Sequence, residues 1–339
     1  MKQLLLICMI AVTAFSCKST QNQTNLNDPV EYAKSIKSAD LSDYLNVLAS
    51  DEFEGRETGT PGQKKAAEFL KNFYASLNIK GGDIRDNTPY YQNIPSEFYD
   101  DRFGDSENVI AMIEGSELPD EYLVISAHYD HLGKRNGQIY NGADDDGSGT
   151  VAVMEIAEAF KKAARNGHQP KRTVIFLHFT GEEKGLLGSK FYTENPIYDL
   201  DKTIANLNID MIGRRDKAHQ NNGNYVYLIG SDRLSSELHQ ISEDANATYT
   251  NLDLNYKYNE EDDPNRFYYR SDHYNFAKFD IPVIFYFNGV HADYHMPTDT
   301  VEKIEYDILE KRAKLIFYTA WELANRSERP LVDNPTLKK

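Results

Sequence analysis

Apolar residues fall into short runs along this chain, separated by polar, glycine-rich turns. Two runs are nearly continuous, Tyr122 to Ser126 (Tyr-Leu-Val-Ile-Ser) and Thr173 to Phe179 (Thr-Val-Ile-Phe-Leu-His-Phe). A strand that is apolar on both faces is buried on both, as in a parallel sheet covered by helices. Asn108 to Ile113, Ala205 to Ile209, Tyr225 to Ile229 and Pro282 to Phe287 supply further strands. Helical spacing appears between them. Ala66, Ala67, Phe69, Leu70 and Phe73 share one side of Gly62 to Leu77, behind a Thr60-Pro61 start. Val151, Met154, Ala157 and Phe160 do the same in Gly147 to Ala164, and Val301 to Asn325 reads as a long last helix, broken once, with the lone Trp321 in the core. Alternating strands and helices predict an α/β fold, a three-layer α/β/α sandwich around a mostly parallel mixed sheet.

The start of the chain follows another pattern. After Lys2, Leu4 to Phe15 is an apolar run of signal-peptide length, too short to span a bilayer. It closes on Ala14-Phe15-Ser16-Cys17, which resembles a bacterial lipoprotein signal; an ordinary signal peptide with a chance cysteine is the other reading. The expected organisation is a signal over 1–16, a flexible polar tether over 17–29, one domain over 30–326 and a tail over 327–339. Cys17 would carry the lipid and hold the exported protein to the envelope membrane, on its periplasmic or surface face.

Composition narrows the chemistry. Cys8 and Cys17 are the only 2 cysteines, and Cys8 would leave with the signal. That removes any intramolecular disulfide and any thiolate metal site, so a catalytic metal must be held by histidines and carboxylates. A net charge of −16 disfavours a polyanionic partner, so nucleic acid is not expected. With 23 Tyr and 16 Phe the chain has material for a core, which argues against disorder.

Ligands in such folds bind beyond the carboxyl ends of the strands. Polar, ionisable residues follow the strands there. Tyr122–Ser126 runs into Ala127-His128-Tyr129-Asp130-His131 and then a loop, Gly142-Ala143-Asp144-Asp145-Asp146-Gly147-Ser148-Gly149. Thr173–Phe179 runs into Thr180-Gly181-Glu182-Glu183-Lys184-Gly185, and Ala205–Ile209 into Asp210-Met211. Near the C-terminus stands Asp293-Tyr294-His295-Met296-Pro297-Thr298-Asp299-Thr300. Each segment alone reads as an ordinary loop, a helix N-cap or a solvated face. Together they gather two histidines and several carboxylates at one sheet edge, the ligand types zinc takes when thiolates are absent.

These five segments, in this order, resemble the co-catalytic di-zinc aminopeptidase family that includes the Vibrio and Streptomyces secreted aminopeptidases. The stretch Asp51-Glu52-Phe53-Glu54-Gly55-Arg56-Glu57-Thr58-Gly59-Thr60 is similar to its bacterial members as well. The chain departs in detail: residue 146 is Asp where many relatives have Asn, and Ile209 stands where Leu is common. The resemblance implies two Zn²⁺ per chain. Asp145 would bridge them, His128 and Asp210 would complete one site, and Glu183 and His295 the other. Glu182 would be the general base toward a metal-bridging hydroxide, and Tyr294 would polarise the scissile carbonyl. Asp130 would orient His128, Arg270 would contact the substrate backbone, and Asp272, with His273, would buttress the site. His131, His168, His178, His219, His239 and His291 have no matched role and are read as structural or exposed. In relatives the peptide bond after the bridging Asp is often cis, so Asp145–Asp146 is expected to be cis.

The implied activity is removal of amino acids from peptide or protein N-termini, with no obligate protein partner. Three alternatives stay open. Animal-type glutaminyl cyclases share the fold and the Glu-Glu pair with a single zinc, but typically carry Gly-Ala-Thr-Asp-Ser-Ala in the loop and a tryptophan after the Glu-Glu turn. Carboxypeptidase or aminoacylase activity occurs in neighbouring di-zinc families. A non-catalytic receptor on this fold usually loses ligands, and none is missing here.

Overall fold

The computed structural model describes residues 28–83, 85 and 89–335. Cys17 and the stretches expected to be a signal and, as far as residue 27, a tether lie outside the described residues. Among the described residues there are eleven strands: β1 Lys80–Gly81, β2 Tyr91–Ile94, β3 Ser106–Ile113, β4 Leu118–His128, β5 Gly133–Arg135, β6 Gln138–Tyr140, β7 Arg172–Phe179, β8 Thr203–Ile209, β9 Tyr225–Ile229, β10 Asp253–Asn255 and β11 Val283–Phe287. The α-helices are α1 Pro29–Ala33, α2 Ser38–Leu48, α3 Pro61–Ser76, α4 Gly149–Arg165, α5 Leu187–Glu194, α6 Ser236–Ala245, α7 His273–Ala277 and α8 Tyr306–Asn325. The break foreseen in the last helix falls between a 3₁₀ turn at Val301–Lys303 and α8.

Nine strands form one mixed sheet in the order β1-β3-β7-β4-β8-β11-β9-β10, with β2 also paired to β3. The central four, β7-β4-β8-β11, are mutually parallel. β3 and β9 flank them antiparallel. β4 and β7 are apolar on both faces, and successive side chains point to opposite sides. Leu123, Ile125, Val174 and Phe176 meet Val151, Phe160, Leu315 and Phe317 of α4 and α8 in one core. Val124, Ile175 and Leu177 meet Tyr192 of α5 and Phe276 of α7 in the other. Each such side chain contributes about 1.5–3 kcal/mol on burial. The arrangement is the expected α/β/α sandwich. Trp321 packs on Tyr32 and Phe160, ring centroids 5.5 and 5.7 Å away.

Residues 327–335 run along the body of the domain. The buried Arg172 donates to the carbonyls of Leu323 (3.1 Å) and Ser327 (2.9 Å), and Arg329 bonds Glu121 at 2.9 Å. Among the described residues no helix is long and apolar enough to cross a membrane.

Candidate active site

Because β7, β4, β8 and β11 are parallel, their carboxyl ends share one sheet edge. β4 ends on His128 itself, β8 ends one residue before Asp210, and β7 leads into the turn bearing Glu182 and Glu183. Tyr294 and His295 lie in the segment after β11, and Asp145 in the loop between β6 and α4. His128 Nε2 lies 3.3 Å from Asp145 Oδ1, 3.7 Å from Asp210 Oδ1 and 3.9 Å from Glu182 Oε2. His295 Nε2 lies 3.1 Å from Asp145 Oδ2 and 3.2 Å from Glu183 Oε2. The five side chains expected to converge therefore do so, with Asp145 turning one oxygen to each histidine.

The loops are fixed from beneath. The Asp145–Asp146 bond is cis. Asp299 accepts the amides of Asp144 at 3.0 Å and Asp145 at 3.1 Å. Gly142 has φ +53, and a Cβ there would lie 2.2 Å from the Asp145 carbonyl and 2.5 Å from the His131 ring, so the tight approach requires glycine. Arg56, fully buried, donates from Nε to the Tyr129 carbonyl (2.8 Å), from Nη1 to Asn141 (2.6 Å) and Leu48 (3.1 Å), and from Nη2 to Gly142 (2.9 Å). One guanidinium thus ties the end of β4 to the start of the Asp145 loop. Burial pushes it down to about 10, against the upward pull of Asp130 and Asp145.

His128 Nδ1 is 3.1 Å from the backbone carbonyl of Asp130, which fixes the ring; the Asp130 carboxylate stands farther off, at 3.6 Å. That carboxylate accepts instead from Thr58 Oγ1 (2.8 Å) and from the Glu182 amide (3.1 Å), so it holds the Glu182 turn. Asp272 is buried, accepts from Ser189 Oγ and lies near enough to His128 and Glu182 to act on them electrostatically. His273 is buried as well, its ring stacked on Phe285.

Two groups drawn in by the fold were not assigned from the sequence. His131 is buried, with Nδ1 2.7 Å from Glu183 Oε1 and 3.8 Å from Asp145 Oδ2. Its spacing, three residues past His128, was the available signal. Asp146 is buried too, and Oδ1 accepts the amides of Gly149 (2.9 Å) and Met211 (3.0 Å) while Oδ2 faces the His128 amide at 3.3 Å. Among the described residues, His128, Asp146 and Asp210 form one trio close enough to share an ion, and His131, Asp145 and Glu183 another. Asp146 is better explained as a brace, because backbone amides already engage both its oxygens.

The electrostatics are those of a cluster short of positive charge. Burial alone would push His128 down, yet Glu182, Asp130, Asp145 and Asp210 hold it well above its usual range. His295 rises to about 10 against the same burial, because Asp145 and Glu183 face it. Asp145 is drawn well below the usual carboxylate range by His128, His131 and His295, despite burial. Glu183 falls to about 2, as His131 and His295 outweigh burial and the Asp145 charge. Glu182 goes the other way: burial, with Asp210, Glu183 and Asp272 nearby, pushes it well up although His128 pulls it back. Asp145 Oδ2 and Glu183 Oε1 are buried without a hydrogen bond. Buried carboxylate oxygens that face imidazoles without a well-formed hydrogen bond are a donor set that fits zinc.

A pocket at this cluster is lined by Met211, Phe267, Phe285, Phe287 and Val290 together with Asp145, Glu182, Asp210 and His295. Tyr294 lines it with its ring stacked on His295 (3.9 Å between centroids) and its hydroxyl 3.3 Å from Arg270 Nη2. Burial, then Asp145 and Glu183, keep that phenol protonated. Arg270, exposed, lies over the Phe267 ring at 4.8 Å.

Comparison with known proteins now decides the family. The family model "Peptidase family M28" matches residues 108–320. The chain belongs to peptidase family M28. It is thereby a zinc-dependent metallopeptidase. A probable leucine aminopeptidase of Trichophyton verrucosum is 25% identical over 280 residues, covering 73% of this chain and 74% of that protein. A probable glutamate carboxypeptidase of Arabidopsis thaliana is 39% identical over 105 residues, covering 31% of this chain but only 14% of the plant protein. In structure, this M28 chain is similar to the Legionella pneumophila LapA aminopeptidase, with TM-score 0.69 and 22% identity over 96% of this chain and 81% of that one. It is similar also to the Porphyromonas gingivalis glutaminyl cyclase, with TM-score 0.63 and 17% identity over 84% of this chain and 97% of that one. These structural likenesses speak to the fold alone.

Proposed function

We propose that this M28 protein removes the N-terminal residue from peptides, using two zinc ions. His128 and Asp210 would hold one ion, Glu183 and His295 the other, and Asp145 both. The observation that carries this reading is the division of the Asp145 carboxylate, Oδ1 to His128 at 3.3 Å and Oδ2 to His295 at 3.1 Å. When bound, zinc would acidify a water toward pKa ~7 and polarise the scissile carbonyl. The protein's own groups do the rest. Glu182 stands 3.9 Å from His128, the longest of the histidine–carboxylate contacts in this proposed arrangement, and would take a proton from water and pass it to the leaving amine. Tyr294, a protonated phenol at the pocket wall, donates to the oxygen that gains charge. Asp145, Glu182 and Asp210 make part of the pocket lining acidic, which suits a substrate ammonium, and the apolar part suits its first side chain. Cys17, if lipidated, would hold the enzyme at the envelope.

A second reading has an observation behind it. Arg270 lines the same pocket and could receive a substrate carboxylate, as a carboxypeptidase needs. The glutaminyl cyclase reading shares the fold. One experiment separates them: purified protein, with and without chelator, is offered aminoacyl anilides, N-acylated peptides with a free C-terminus, and a glutaminyl peptide. Chelator-sensitive hydrolysis of the anilides is expected. Cleavage only of the N-acylated peptides, or pyroglutamate formation, would overturn the proposal.

A further inference from the structure

Strand β8 carries a pattern that neither the fold nor the proposed chemistry explains. Its sequence alternates strictly, with Ala205, Leu207 and Ile209 interleaved by Asn206, Asn208 and then Asp210. Such alternation normally marks a strand with one face in water. Here every residue of β8 is buried. The apolar set faces α4 and α8, and the polar set lies under the α7 side of the sheet, where Ser126 of β4 pairs in register with Asn208.

The buried polar groups are joined into a single row. Asn206 Nδ2 donates to Ser126 Oγ (2.8 Å), and Ser126 Oγ donates to Asn208 Oδ1 (2.8 Å). Asn208 Nδ2 donates to Ser271 Oγ (2.9 Å), and Ser271 Oγ donates to Asp210 Oδ2 (2.7 Å). Asn206, Ser126, Asn208 and Ser271 are all at most 1% exposed.

The carboxylate at the end fixes the direction of the whole row. An ionised Asp210 can only accept, so Ser271 must donate to it and must itself accept from the Asn208 amide. Asn208 then turns its carbonyl to Ser126, which must donate, and Asn206 must offer its NH₂. The cost of this one-way order shows at the far end, where Asn206 Oδ1 is buried with no partner. A row of aligned donors polarises each successive bond, so the last hydroxyl is a stronger donor than an isolated serine.

We propose that the row Asn206–Ser126–Asn208–Ser271 positions Asp210, holding Oδ2 so that Oδ1 faces His128, and thereby sets zinc affinity in the His128 half of the site. These are positioning residues: only Asp210 of the row would touch a metal. The inference rests on the metal assignment proposed above.

The test measures zinc binding to the metal-free full chain by competition with a chromophoric chelator, beside thermal melts of the same metal-free samples. Ser271→Ala is expected to weaken the tighter zinc equivalent by 10–100-fold, the range for groups that orient a ligand. Asn208→Leu, close in size, should do nearly as much. Asn206→Leu should weaken zinc only a few-fold while leaving the melt unchanged or raising it, because it removes the unpaired carbonyl. Opposite movements of affinity and stability are what a merely structural role would not give. If all three variants bind zinc as the unaltered chain does, while Asp210→Ala loses the equivalent, the row is overturned and the metal assignment stands. If Asp210→Ala also keeps both equivalents, the metal assignment itself is wrong. Affinity losses that only track melting temperature would overturn the row as well.

Discussion

The two halves of the candidate site are built differently. His128 sits on the last residue of the central strand, its side chain 1% exposed and its Nδ1 at a backbone carbonyl 3.1 Å away. His295 sits on a loop, 38% exposed, with a positive φ of 57. Its ring rests on Tyr294, and among the described residues nothing is hydrogen-bonded to its Nδ1. The inner half is part of the sheet or one residue beyond it, whereas the outer half is carried by the turn after β7 and the loop after β11. A site that must grip its metals and still admit a substrate gains from this division, because rigidity and access are assigned to different residues.

The largest expected effect separates proton transfer from ligation. Glu182→Gln should keep its zinc and lose about 10²–10⁴ in kcat. Glu183→Gln should shed metal from the outer half and regain part of its activity in excess Zn²⁺. Metal analysis beside steady-state kinetics reads both, and a fully active Glu182→Gln would remove the proposed base. Next is Arg56→Met, which strands four carbonyls beneath the inner half and should lower stability by at least about 3 kcal/mol in denaturant titration. A loss under 1 kcal/mol would mean that the clip between β4 and the Asp145 loop is dispensable.

Tyr294→Phe probes the outer half alone. About 10²-fold in kcat, with KM and zinc content little changed, is the expectation for a lost donor to the developing oxyanion. A change confined to KM would make Tyr294 a wall of the pocket only. Graded chelation tests the asymmetry directly: the first zinc equivalent to leave should be the one His295 holds, about tenfold more weakly bound. His295→Ala should then retain one equivalent, and loss of both together would erase the contrast. The smallest effect is assigned to Asp146→Asn. The amide oxygen can keep the Gly149 and Met211 bonds and forgoes only the long one to His128, so a stability change of about 0.5–1.5 kcal/mol is expected from thermal unfolding.

The inner half was the more legible of the two. β4 and β7 announce themselves as apolar runs, and a polar residue immediately after such a run sits at a sheet edge by construction. His128, Glu182 and Asp210, together with Glu183 of the outer half, were readable for that reason. Asp145 and His295 lie on longer loops, where only the motif resemblance pointed to them. His131 carried only its three-residue spacing from His128 as a signal, and the loop after β4 brings it to Glu183. Arg56 looked like one more charge in a polar stretch, since the four carbonyls it binds come from segments far apart in sequence. The helices α2 and α6 had signals that the coarse pattern passed over. Leu41, Leu45 and Leu48 recur at helical spacing, and Ser235 caps α6 by accepting the Leu238 amide at 3.1 Å. β8 misleads in the opposite sense, because its alternation implies a wet face that the fold covers.

The order in which the site residues leave the ribosome has a further consequence. His128 belongs to the strand at the centre of the sheet, whereas His295 follows the last strand, and Asp145 has its two oxygens divided between them. A chain still being synthesised, or one cut short before residue 295, has His128 and His131 but lacks the imidazole that faces Asp145 Oδ2 and Glu183 Oε2. The full set of candidate ligands is therefore in hand only once synthesis has reached about the last eighth of the 339 residues.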